Sequence, residues 1–103
     1  MSKNVSLNKQ FLHLLLTTSW EQGAALLDTV TTPQALLISE IALNLLQLPL
    51  QKKAAHLVRK KRKVLQKLAD KKVGKLAKRK IIRKHYKFLL DLLLSVKLQL
   101  EQL

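Results

Sequence analysis

Lysine and arginine are the side chains this sequence carries in quantity and in order. Two clusters stand out, Arg59 to Lys63 ("RKKRK") and Arg79 to Lys84 ("RKIIRK"). Around them lie Lys52, Lys53, Lys67, Lys71, Lys72, Lys75, Lys78 and Lys87, so the candidate phosphate-binding set is those eight with Arg59, Lys60, Lys61, Arg62, Lys63, Arg79, Lys80, Arg83 and Lys84. Cations in such number neutralise phosphates and release condensed counterions. That is the main source of sequence-independent affinity for nucleic acid. If about six to ten of them met phosphates, affinity would fall roughly 10³–10⁵-fold between 50 and 200 mM salt. Base-specific reading is a separate matter, and the pattern gives it little support. There is no zinc-finger spacing and no RNA-recognition aromatic motif, and Asn and Gln are scarce in the basic region. Backbone binding without sequence preference is expected.

Other chemistry is poorly provided for. His13, His56 and His85 are far apart and no HExxH occurs. Cysteine is absent, which removes disulfides and thiolate ligands. The serines lack a nucleophile-elbow context and no Gly-rich phosphate loop is present. No catalytic residue, metal or cofactor is expected.

The charge is unevenly placed. Residues 1–50 hold Lys3 and Lys9 against Glu21, Asp28 and Glu40, a balance of −1. Residues 51–103 carry a balance of +15, which accounts for the formal net charge of +14. The bland alternative is a solvated basic face kept for solubility. Concentrating that charge in half a small domain costs self-repulsion unless a polyanion relieves it. Nucleic acid is the first partner implied. An anionic membrane is the second. Arg59 to Lys63 also matches a nuclear-import cluster. No secretory signal is read in the sequence, and no apolar run approaches the ~20 residues needed to span a bilayer. An intracellular location is expected.

The elements that must position these cations are helical. Hydrophobic residues make up 48% of the 103, and there are only two Gly and two Pro. That excludes a simple disordered basic tail and favours an all-α fold of one small domain. The reading is a bundle of five or six helices, with residues 1–49 an apolar N-terminal bundle and 50–103 a basic region continuous with it. A first helix spans 6–17, with Leu7, Phe11, Leu14 and Leu15 on one face. Ser19-Trp20-Glu21-Gln22 fits a capping box and opens a second helix to about Thr29. Ala24, Leu27 and Val30 face inward on it, Gly23 weakens it slightly, and Trp20 packs at its start. Thr32 caps a third helix, with Pro33 at its first position. That helix runs to Gln47, is apolar on most sides and should be central. Pro49 then breaks the chain.

Residues 50–72 read as one long basic helix of roughly 35 Å. Its apolar stripe is Ala54, Leu57, Val58, Leu65, Leu68 and Ala69, interrupted at Lys61 and Arg62. Val73-Gly74 ends it, with Gly as C-terminal cap. The last helical stretch spans 75–102, with a bend near His85. There Ile82, Tyr86, Leu89, Leu93, Val96, Leu100 and Leu103 recur at alternating spacings of four and three, a heptad seam. The seam either completes the core or joins subunits into a homo-oligomer. Apolar residues among the cations let the basic helices dock on the N-terminal bundle and present charge from a rigid surface. A basic amphipathic helix lying in a membrane interface is the rival.

Three segments carry a family resemblance: "LISEIALNLLQLPL", "RKKRKVLQKLADKKVGKLAKRK" and the Leu-rich tail. Over residues 11–96 the chain resembles small basic proteins of Polinton-like elements, adintoviruses and adomaviruses. Those are themselves likened to the adenovirus core peptide precursor, mu or pX. The pieces that carry it furthest are Ile41-Ala42-Leu43-Asn44, Leu48-Pro49-Leu50 and Leu68-Ala69-Asp70-Lys71-Lys72-Val73. The family pattern has a Gly-Gly pair after the basic block. This sequence has Lys84-His85-Tyr86-Lys87-Phe88 there, which favours continuous helix over a hinge. The resemblance implies a DNA-binding core or virion-associated protein located in the virion and host nucleus, with Arg59 to Lys63 and Arg79 to Lys84 as its basic block. A membrane-active or capsid-associated structural protein is the second reading, and a host-directed RNA or ribosome binder the third.

Overall fold

A computed structural model describes residues 9–97, which form seven α-helices with no strand among them. We number them α1 (Lys9–Thr17), α2 (Trp20–Asp28), α3 (Thr32–Gln47), α4 (Lys52–Lys60), α5 (Arg62–Ala69), α6 (Lys75–Lys84) and α7 (Tyr86–Ser95). The count exceeds the expected five or six because both long stretches are divided. The 50–72 stretch breaks at Lys61, which takes φ −129° and ψ 43°. The 75–102 stretch breaks at His85, with φ −112° and ψ 27°, where the sequence suggested a bend; the continuous helix favoured there by the lack of a Gly-Gly pair is not formed. Residues 98–102 of that stretch, and residues 6–8 of the first helix, lie outside the described residues.

The division at Lys61 has a hydrophobic cause. A continuous helix would carry the apolar stripe from Val58 straight into Lys61 and Arg62. Breaking there lets Ala54 and Val58 on one side, and Leu65 and Leu68 on the other, each enter the interior.

Helix ends in the N-terminal half are fixed by side chains. Ser19 Oγ accepts from the Gln22 N–H at 3.2 Å, as expected of a cap, but the Gln22 side chain accepts from the Thr18 hydroxyl and not from the cap backbone. The full reciprocal box forms at the start of the next helix. Thr31 Oγ1 accepts from Gln34 N–H at 3.4 Å, and Gln34 Oε1 accepts from Thr31 N–H at 3.0 Å. The cap is therefore Thr31 and not Thr32. Capping from Thr32 would put Ala35 at the third position, with no side chain to return the bond. Leu48 ends α3 in extended conformation ahead of Pro49.

Gly74 was expected to close the 50–72 helix. It instead precedes α6 as its N-cap, at φ −68° and ψ 158°. Asp70 terminates α5, with its Oδ1 accepting from the Lys72 N–H at 2.9 Å. No described residue needs a positive φ.

The interior is one cluster drawn from both halves of the chain. Helix α3 packs against α5 and α6, and α7 packs against α2 and α4. Ile38, Ile41, Ala42 and Leu45 of α3 meet Leu65 of α5 and Leu89, Leu92 and Leu93 of α7 around a residual void of about 10 Å³. Each fully buried Leu or Ile here is worth about 1.5–3 kcal/mol relative to exposure. On α1 the buried face is Phe11, Leu12, Leu15 and Leu16. Leu14 is turned outward, 51% exposed, contrary to its expected place on the inner face.

Candidate nucleic-acid interface

The cations are carried by α4, α5, α6, the turn between α5 and α6, and the first turn of α7. On α4, Ala54 and Val58 face inward, and Lys52, Lys53, Arg59 and Lys60 are exposed. On α5, Leu65 and Leu68 face inward, and Arg62, Lys63 and Lys67 are exposed. Lys71 and Lys72 in the turn, Lys75, Lys80, Arg83 and Lys84 on α6, and Lys87 on α7 are exposed as well. Because the chain breaks at Lys61, the exposed cations from Lys52 to Lys67 sit on two short helices and not along one rod.

Three members of the expected phosphate-binding set are drawn inward. Lys78 is only 5% exposed, and its Nζ donates to Ser39 Oγ at 2.9 Å. The Ser39 hydroxyl in turn donates to the Leu68 carbonyl, so one buried chain of polar groups ties α6 to α3 and α5. Arg79 is half-buried and its Nε donates to the Val30 carbonyl at 3.0 Å, between α2 and α3. Lys61 is half-buried, with Nζ 3.5 Å from His85 Nδ1 and 5.8 Å from the centre of the Phe88 ring. These three are structural cations. Lys78 lies four residues before Ile82 and three before Ile81, so it falls on the apolar stripe. Lys61 falls where the stripe of α4 and α5 is interrupted. Helical spacing could have flagged both.

His85 and Lys61 stand at the two breaks, so their contact joins the α4–α5 corner to the α6–α7 corner. Burial pushes the His85 imidazole below its ordinary value of 6.5, and the charges of Lys61, Lys84 and Lys67 push the same way.

The heptad seam is used inside the chain. Ile82, Leu89, Leu93 and Val96 are buried in the shared core, and Tyr86 is half-buried against it. Leu100 and Leu103 lie outside the described residues. A seam between subunits made from the buried four would require the core to open. Trp20, expected to pack at the start of the second helix, does touch Tyr86, with ring centroids 6.2 Å apart and planes tilted by 51°. It nevertheless remains 40% exposed.

Among the described residues there is no group of three or more His, Cys, Asp or Glu able to hold a metal ion. No helix among them is long and apolar enough to cross a membrane. Compared with protein-family models, curated proteins and solved structures, the chain matches none.

Proposed function

We propose that this chain binds nucleic acid without sequence preference and condenses it, acting on DNA as a core or virion-associated protein of the kind its resemblance suggests, in the virion and host nucleus. The observation that carries this reading is the division of labour within α4, α5 and α6. Their apolar sides are buried in one core, while fourteen of the seventeen cations expected to meet phosphate remain exposed. Charge held on a folded surface meets a polyanion with less ordering cost than charge on a free tail.

The test is a titration of the protein against duplex DNA from low to high salt, beside a Lys60→Ala/Arg62→Ala/Lys63→Ala variant. These three are exposed, so their loss spares the core. A steep logarithmic slope, reduced by about one for each phosphate contact removed, is the expected result. A flat slope, or DNA fragments of unrelated sequence binding very differently, would sink the reading.

A second reading has one observation in its favour. Leu76 is 69% exposed on cationic α6, close in sequence to Lys72, Lys75 and Lys80. An apolar side chain standing among cations suits an anionic membrane or capsid surface. Leakage of anionic vesicles that Leu76→Gln abolishes, with DNA affinity unchanged, would favour that alternative.

A further inference from the structure

Trp20 is the only tryptophan in the chain. Tryptophan is highly buried on average, yet this one keeps 40% of its surface in solvent. The two phenylalanines, Phe11 and Phe88, are buried. Nothing in the start of α2 calls for an indole, because Ser19 already caps that helix. Its ring partner is Tyr86, at the start of α7. The 51° tilt between the rings means that neither lies flat on the other. Arg83, Lys84 and Lys87 are all exposed and lie within a turn of Tyr86 along the chain.

A solvent-facing indole, paired with a tyrosine that exposed cations flank along the chain, is suited to holding unpaired bases. The π-face takes a base and the neighbouring cations take the phosphates on either side of it. A duplex keeps its bases stacked on one another and offers no such face. We infer that Trp20, paired with Tyr86, is a base-stacking site for single-stranded nucleic acid, with Arg83, Lys84 and Lys87 holding the adjoining phosphates. The inference rests on the charge-driven binding proposed above and adds a preference for unpaired strands. Stacking is common to DNA and RNA, so both are included in the test.

Trp20 is also the natural probe. The protein would be titrated at low salt with oligo(dT), oligo(U) and a duplex of equal length, following indole emission and the anisotropy of labelled strands. Both single strands should quench the emission and the duplex should leave it nearly unchanged; quenching by only one of them would still support stacking and show that the site discriminates between the two nucleotides. Trp20→Ala should weaken single-strand binding roughly 5- to 100-fold while leaving duplex affinity within about two-fold. Trp20→Phe should keep most of the single-strand affinity. Circular dichroism of both variants checks the helices, and the quenching of the unaltered protein decides the matter even if Trp20→Ala is poorly folded. If all strands bind with no change in emission, or if Trp20→Ala weakens single strands and duplex equally, the stacking site is refuted while charge-driven binding stands. If no strand binds at low salt, both readings fall.

Discussion

Ser39 and Lys78 bring an ammonium and a hydroxyl into a core otherwise built from Leu, Ile, Val, Ala and Phe. Lys78 needs Ser39 as its acceptor, and Ser39 needs the Leu68 carbonyl as its own. Ser39→Ala should therefore cost more than the small change in volume suggests. It leaves a charged donor short of a partner, at about 1–3 kcal/mol. Lys78→Met removes the charge, keeps the length of the stem and should cost less. Equilibrium denaturation of the two variants gives the order, and a costlier Lys78→Met would show the ammonium to be a net stabiliser. His85 supplies a second prediction at this scale. Its imidazole is held below 6.5 in the folded chain, so the unfolded chain takes up the proton first as pH drops. The stability contributed by the neutral ring is complete above 6.5 and is lost as pH falls from there toward the lowered value. Melting temperatures at pH 7.5 and 5.5 should differ less in His85→Gln than in the unaltered protein; an equal drop in both would clear His85 of any part.

The helices of the two halves end in different ways. Ser19 and Thr31 cap α2 and α3 with side-chain bonds, whereas α4, α5, α6 and α7 begin without one. The later helices also begin on or near cations, such as Lys52, Arg62 and Lys75, which oppose the helix dipole. Burial against α3 and α2 has to hold them. Gly74 is the place to improve this. Its φ is −68°, and a Cβ there would meet nothing within 4 Å. Gly74→Ser should add about 0.5 kcal/mol by capping α6 and stiffening the unfolded chain. Gly23 is the opposite case. A Cβ on it would lie 3.0 Å from Leu90 Cδ1, so α2 and α7 meet closely there. Gly23→Val should destabilise by about 1–3 kcal/mol through overpacking. Denaturant midpoints of the two variants should move in opposite directions.

What could be read from the sequence follows from whether its cause is local or distant. Ser19, Pro49 and the apolar run of α3 are local signals, and they set the elements where expected. Gly23 looked like a weak point within its own helix, and only Leu90, far along the chain, gives it a purpose. The division at Lys61 was visible as a gap in a stripe. That the gap would bend the chain depended on where α3 offered apolar surface to Leu65 and Leu68. Most of the basic surface was legible from composition and period. That Lys61, Lys78 and Arg79 turn inward was not legible locally, because their partners, His85, Ser39 and Val30, are 24, 39 and 49 residues away.

Across the described residues as a whole, nineteen Lys and Arg against five Asp and Glu, a formal balance of +14, are held within 31 × 29 × 26 Å. Such density makes salt act in two directions. Added NaCl screens the repulsion among the cations and should raise the melting temperature of the free protein. The same salt competes for phosphate and should lower nucleic-acid affinity. Between about 20 and 200 mM the two quantities should therefore move oppositely, with the Debye length shrinking from ~20 to ~7 Å. A melting temperature that falls over that range would mean that ion pairs, and not repulsion, govern the fold's response. A polyanion added at low salt should stabilise the protein more than its ionic strength alone accounts for, because it binds the folded surface.

The contact between Lys61 and His85 reaches beyond either residue. Each sits at an elbow, and the elbows touch. The cationic segments around them, centred 24 residues apart along the chain, are thereby brought to one place on the exterior. A polyanion lying across that place would meet charge from two separate stretches of sequence at once.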